Sequence, residues 1–142
     1  MPLISIIIPT YNHANYLSKA LESVINQSFQ NWEAIVIDNQ SIDETRKIIS
    51  GYRDSRIKYL RISNNGVVAK SRNAGIMMAK GKWIAFLDSD DWWVKNKLKI
   101  CHNIIKKKND IDLIYHDLNI VNNKTSLFNL RKIKSRKLKK PI

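Results

Sequence analysis

The sequence predicts an α/β protein, with a mostly parallel sheet and helices packed on both of its faces. Two features of the 142 residues carry that expectation. Short apolar runs rich in isoleucine and valine alternate with segments whose apolar residues recur at helical spacing. The alternation holds from residue 3 to residue 117 with no internal repeat, low-complexity run or linker. Strands that alternate with helices are joined by right-handed crossovers, which makes them parallel and puts helices over both faces.

Each element follows from its own residues. Leu3 to Ile8 is a short apolar run that reads as a buried first strand, stopping at Pro9 because proline cannot donate to a sheet ladder. After Asn15, the residues Tyr16, Leu17, Ala20, Leu21, Val24 and Ile25 recur at helical spacing and give a first helix reaching Gln27. Glu33 to Asp38 is a second strand, and Ser41, with Glu44 three residues on, is the expected N-cap of a second helix that reaches Tyr52. Arg56 to Ile62 alternates as a third strand. Asn64-Asn65-Gly66 makes a turn, Val67 to Lys80 a third helix with Gly81 as its C-cap, and Lys82 to Leu87 a buried fourth strand. Asp91 reads as a cap for a helix that begins near Trp92, with helical spacing from Lys95 to Lys108, and Ile111 to His116 is a fifth strand. Trp83, Trp92 and Trp93 read as core and interface bulk.

Whole-chain properties narrow the function. With 44% hydrophobic and 26% charged residues, the composition is that of a folded globular chain, and the length allows one domain. Of the formal net charge of +13, eight charges come from residues 118 to 142, which hold eight basic residues and no acidic one. The excess therefore sits in a tail that includes Arg131, Lys132, Lys134, Arg136, Lys137, Lys139 and Lys140. That tail reads as a solvated segment, with anionic lipid or RNA as the alternative partner. No aromatic and basic residues interleave as a stacking platform, so no specific nucleic-acid function is expected.

Cys101 is the single cysteine, which leaves no intramolecular disulfide and suits a reducing compartment. His13, His102 and His116 lack the spacing of zinc ligands. No run approaches the roughly 18 apolar residues of a membrane span, and the first residues lack the basic flank and cleavage site of a signal peptide. A cytoplasmic location is expected, with the tail able to touch the inner face of a membrane.

The chemistry is concentrated where strands end. The fourth strand stops in Asp88-Ser89-Asp90-Asp91, and two carboxylates two residues apart can share a hard cation that keeps its other positions for water and phosphate oxygens. Thr10, Tyr11 and Asn12 follow the first strand, Asp38 and Asn39 close the second, and Arg72 and Asn73 lie early in the third helix. In a parallel sheet these strand ends share one edge, where open α/β sheets bind ligands. No Gly-x-Gly-x-x-Gly and no P-loop signature occurs, which disfavours dinucleotide and P-loop folds. The set suits a nucleoside diphosphate carrying a leaving group: Tyr11 as a flat face, Asp38 or Asn39 for a base edge, Arg72 as a fork. Asp88 and Asp90 would place Mg²⁺ or Mn²⁺ against the departing diphosphate. Plainer readings stay open: Tyr11 as a turn aromatic, Asp38 as an acid at a helix N-terminus, Arg72 as a surface ion-pair partner.

Five stretches together resemble family 2 glycosyltransferases of the GT-A fold: Ser5 to Asn12, Gln27 to Glu33, Ser41 to Thr45, Lys70 to Gly75 and Leu87 to Asp91. The resemblance implies a GT-A-type sheet truncated after five strands. It implies that Pro9, Thr10, Tyr11 and Asn12 line a nucleotide pocket with Asp38 and Asn39 beside the base and Arg72 reaching the nucleotide. Asp88 would approach the ribose, with Ser89 between it and Asp90, the metal residue of an Asp-x-Asp motif. The implied reaction moves a sugar with inversion from a nucleotide diphosphate, a UDP-sugar first, to a glycan or lipid-linked acceptor in cell-envelope glycan synthesis.

Two departures qualify this picture. Asp38-Asn39-Gln40-Ser41 stands where many members have Asp-Asp-Gly-Ser, and Asn39 can both donate and accept. No carboxylate side chain follows Asp117, so the general base and acceptor-binding half are expected beyond Ile142. Residues 1–117 then form the donor-binding half-domain and residues 118–142 a basic segment that begins the acceptor half. The alternative is a catalytically inactive remnant or binding module.

Overall fold

The computed structural model describes residues 1–108, 110–116 and 118, with the backbone of 134–136. In chain order the elements are β1 (Ile4–Thr10), α1 (Ala14–Ile25), β2 (Trp32–Asp38), α2 (Thr45–Gly51), β3 (Ile57–Arg61), α3 (Val68–Met78), β4 (Trp83–Phe86), α4 (Lys97–Lys107), β5 (Leu113–Tyr115) and β6 (Lys134–Arg136). Two compact units are present, Met1–Leu98 and Lys99–Ile142. Asp117, at the expected boundary, and most of the basic tail lie outside the described residues.

In the first unit four parallel strands stand in the order β3-β2-β1-β4. Side chains alternate across the two inner strands, so both faces are apolar. Ile4, Ile6, Ile8, Ala34 and Val36 pack with Leu17, Ala20, Leu21 and Val24 of α1 and Ile49 of α2. On the other face Ile7, Ile35 and Ile37 pack with Ala74 and Met78 of α3. Helices therefore cover both faces, and every residue of β1 and β2 is buried. Each such aliphatic side chain contributes roughly 1.5–3 kcal/mol on burial.

Several local expectations change. β1 continues through Pro9 to Thr10. Trp83 and Leu87 donate backbone N–H groups to Leu3 and Ile7, so alternate residues of β1 face β4, and Pro9 is the next in that series, where β4 has already ended. No donor is required of it. β4 is an outer strand in the described sheet, with Ile84 and Phe86 exposed rather than buried. The fifth strand does not join the parallel sheet: Leu113–Tyr115 pairs antiparallel with Lys134–Arg136. Asp112 and His116 flank it, leaving an apolar run only three residues long.

Ser41 caps no helix, because α2 begins four residues later at Thr45 and the Ser41 hydroxyl is bound to Asp38. Gly81 is not a C-cap either; α3 ends at Met78 with Ala79 as the cap residue. Its value is close approach, since a Cβ there would stand 2.6 Å from the Ser5 nitrogen. Asp91 caps nothing, for α4 starts only at Lys97, and Trp92 is surface rather than core, with the Lys19 ammonium 3.2 Å from its ring centre. Trp83 and Trp93 do pack against the main core. The Asn64-Asn65-Gly66 turn forms as expected, with positive φ at Asn65 and Gly66.

The amino-terminal rim of the sheet is closed by Glu33. Burial pushes its carboxyl up, but bonds from Lys58, the Ser5 hydroxyl and the Lys80 N–H outweigh this and hold it below the usual range. No described helix is long and apolar enough to cross a membrane.

Candidate functional site

The strand order places a crevice at the opposite, carboxyl rim. From β1 the chain moves outward to β2 and β3, then α3 carries it back across the sheet to β4 on the other side of β1. The strand order thus reverses at β1, with α1 on one face of the sheet and α3 on the other, and the gap between the carboxyl ends of β1 and β4 is a topological switch point of the kind that binds ligands in open α/β sheets. A cavity of about 390 Å³ lies there. Pro9, Thr10, Tyr11 and His13 line it from the β1–α1 turn, Asp88, Ser89 and Asp90 from the loop after β4, and Asn64, Val68, Ser71 and Arg72 from α3 and the turn before it.

Of the residues expected at the site, Pro9, Thr10, Tyr11, Arg72, Asp88, Ser89 and Asp90 converge on this one cavity. Tyr11 is 54% exposed, so its ring face is available to a flat ligand group. Thr10 is only 4% exposed, yet its Oγ1 is buried with no hydrogen-bond partner among the described residues. Arg72 Nε is likewise buried without one, while its Nη2 pairs with Asp88 Oδ1 at 2.7 Å. Unsatisfied buried polar atoms are uncommon in folded proteins, and here two border one cavity.

Asn12, Asp38 and Asn39 do not line the cavity; they build the floor that carries it. Asn12 has a left-handed backbone (φ 52°), held by its N–H donating to Ser41 Oγ and its Oδ1 accepting from the Ile42 N–H, each at 2.9 Å. The Ser41 hydroxyl and N–H both donate to Asp38 Oδ1, and the Tyr59 hydroxyl donates to Asp38 Oδ2 at 2.7 Å. Asp38 is 1% exposed, so its carboxylate is committed to these partners and to Arg61, whose Nε is 4.0 Å away. Asn39 Oδ1 accepts from the Asn64 N–H at 2.8 Å.

His13, Asn64, Val68 and Ser71 were not anticipated. Asn64 is 4% exposed and donates through Nδ2 to Ser71 Oγ at 2.9 Å, which fixes the start of α3 beside the cavity. Ser71 adjoins Arg72 within a stretch already singled out, and Asn64 lies in the recognised turn, so both signals were present but read only as scaffold. The contact of His13 Nδ1 with Ser89 Oγ at 2.8 Å spans 76 residues and has no local signature.

The acidic loop sets the electrostatics. Burial, and then the negative charges of Asp90 and Asp88, push the Asp91 carboxyl above its ordinary value. Among the described residues no three or more His, Cys, Asp or Glu side chains are grouped to hold a metal. The donors on offer are two carboxylates, Asp88 and Asp90, with one Asp88 oxygen engaged by Arg72. That set fits a hard divalent cation completed by water and phosphate oxygens, and does not fit a structural zinc.

A parallel α/β sheet with an acidic loop at its switch point defines the class of open-sheet proteins that hold ligands at the carboxyl edge, and comparison with known proteins identifies the group. The chain belongs to glycosyl transferase family 2, whose sequence model matches residues 5–140. It is 41% identical over 121 residues to the UDP-Glc:alpha-D-GlcNAc-diphosphoundecaprenol beta-1,3-glucosyltransferase WfgD of Escherichia coli, covering 85% of this chain and 47% of that protein. It is 42% identical over 98 residues to WfaP of Escherichia coli, which bears the same activity name, covering 69% of this chain and 39% of that protein. Among solved structures, S. aureus TarS 1-349 in complex with UDP-GlcNAc superposes with a TM-score of 0.79 at 31% identity, over 89% of this chain and 37% of that one. The chain thus spans about half the length of these relatives, or less.

Proposed function

We propose that this chain is the donor-binding half of an inverting glycosyltransferase that moves a sugar from a nucleotide diphosphate to an acceptor hydroxyl. The observation that carries the reading is the single cavity at the β1/β4 switch point, walled by Tyr11 and Thr10 on one side and by Arg72, Asp88 and Asp90 on the other. Tyr11 offers a face to the base, and the unpartnered Thr10 hydroxyl and Arg72 Nε offer polar contacts to the nucleotide. Ser89 holds the loop between the two acids. Asp38, Asn12 and Asn39 support the nucleotide pocket from beneath, Asp38 through bonds to Ser41 and Tyr59.

Asp90 and Asp88 would hold Mg²⁺ or Mn²⁺, which would supply positive charge against the leaving diphosphate. In the transfer the acceptor oxygen bonds the anomeric carbon as the bond to the diphosphate breaks, and the hydroxyl proton passes to a base. None of the residues lining the cavity is proposed as that base. Family membership and the activity names of WfgD and WfaP support a UDP-sugar donor and cell-envelope glycan synthesis, with a lipid-linked glycan as acceptor. The basic segment after residue 117 would then meet the inner face of the membrane in the cytoplasm.

Isothermal titration of the chain with UDP in the presence and absence of Mn²⁺ tests the proposal. Binding that strengthens with the metal and loses that dependence in Asp90→Ala is the expected result; a folded chain indifferent to both ligands would refute it.

A further inference from the structure

We infer that His13 is a positioning residue for the acidic loop, locking Asp88 and Asp90 in register with the β1–α1 turn through its hydrogen bond to Ser89. The inference rests on the donor-site reading above. His13 stands at the N-cap position of α1, where a side chain would ordinarily bond a free helix N–H, yet it makes no such bond. That duty falls to Asp43, whose Oδ2 accepts from the Ala14 N–H at 2.9 Å. The imidazole is instead turned to the other wall of the cavity, with Nδ1 2.8 Å from Ser89 Oγ.

The two ends of this contact differ in rigidity. The His13 carbonyl accepts the N–H groups of Tyr16 and Leu17, at 3.0 and 2.9 Å, so the residue is built into the start of a helix whose inner face is fully buried. The loop after β4 is less supported. It leaves the outer strand of the described sheet immediately after the Leu87 N–H bond to Ile7, and its turn is closed by the Asp91 N–H donating to the Asp88 carbonyl. Asp88 reaches Arg72 through an ion pair in which both side chains are more than one third exposed. Ser89 is 3% exposed and lies between the two carboxylates. Its part-buried bond to His13 therefore ties the loop before any ligand arrives, and it spares the loop an ordering cost on cation binding.

The distance from Cα to Nδ1 is matched by an asparagine amide, whereas a glutamine amide reaches out to the position of Nε2. This gives a test that loss of bulk alone cannot imitate. In titrations of Mn²⁺ in the presence of UDP, His13→Ala and Ser89→Ala should each weaken metal affinity roughly 10-fold. The double variant should be no worse than either, His13→Asn should restore affinity, and His13→Gln should not. Amide hydrogen exchange without ligand should quicken at residues 88 to 91 in His13→Ala, Ser89→Ala and His13→Gln, and stay native in His13→Asn. If His13→Ala is poorly folded, Ser89→Ala carries the comparison. Native exchange and native Mn²⁺ affinity in these variants, alongside a wild type that binds, would overturn the inference alone. A folded wild type that shows no Mn²⁺-dependent binding of UDP would overturn the donor-site reading and the inference with it.

Discussion

Tyr59 and the buried Asp38 form a donor–acceptor pair across neighbouring strands, with the phenol hydroxyl 2.7 Å from Oδ2. The other carboxylate oxygen receives Ser41, which in turn receives the N–H of Asn12 in the β1–α1 turn. The orientation of the loop carrying Thr10 and Tyr11 thus depends on a hydrogen-bond chain that begins on β3. A carboxyl group 1% exposed is accommodated in such a place because three donor groups point at it.

Tyr59→Phe leaves Asp38 Oδ2, among the described residues, with the Arg61 guanidinium 4.0 Å away, and should cost about 1–3 kcal/mol in urea unfolding. The loss should depend on pH. Burial, then the hydrogen bond and charge of Asp38, push the Tyr59 phenol up to about 12 from its ordinary 10.0. A folded value above the unfolded one stabilises the fold fully below pH 10, and that stabilisation disappears as pH rises toward 12. The gap between wild type and Tyr59→Phe should therefore narrow over that window, which unfolding curves at successive pH values will show.

Arg72 should matter for ligand and little for stability. With the Arg72 and Asp88 side chains 38% and 49% exposed, their ion pair is screened, and Arg72→Ala should shift stability by less than about 0.5 kcal/mol. UDP affinity should fall about 10-fold or more in the same variant, because a charge-assisted fork to phosphate is lost. Arg72→Lys should recover only part of it, since an ammonium cannot reproduce the planar fork. Thermal melts and UDP titrations on the same samples separate the two effects.

Gly75 marks where α3 lies tightest on the sheet. A Cβ there would meet Ile7 Cγ2 at 2.5 Å, and Ile7 is fully buried in β1 with no room to withdraw. Gly75→Ala should therefore destabilise by about 1–3 kcal/mol through overpacking, despite the better helix propensity of alanine. Met77→Ala on the exposed side of the same helix should stay within about 0.5 kcal/mol, and urea midpoints will compare them.

The parallel sheet and the acidic loop were legible because both depend on local pattern. Isoleucine-rich runs at β1 and β2 are buried on both faces, and strand-end logic brings Thr10, Tyr11, Arg72 and Asp88 to one rim from three parts of the chain. What escaped the sequence depends on partners distant along it. A serine before a helix suits both an N-cap and an acceptor's neighbour, and at Ser41 the buried Asp38 won. A glycine after a helix suits both a C-cap and a close crossing, and at Gly81 the Ser5 backbone decided. His13 was read for metal spacing alone, while its partner lies 76 residues away. Asp38 was expected near a base from its place at a strand end, and periodicity could not reveal that Tyr59 and Ser41 occupy it. An apolar triplet at β5 fixes a strand without naming its partner.

Chemical-shift mapping of the isotope-labelled chain with UDP and Mg²⁺ tests the central claim most directly. Amides at Thr10, Tyr11, Arg72, Ser89 and Asp90 should move together, with Ser5, Glu33 and Gly81 at the opposite rim unchanged. Shifts confined to that opposite rim, or none at saturating UDP and Mg²⁺, would contradict the placement of a nucleotide-sugar site between β1 and β4.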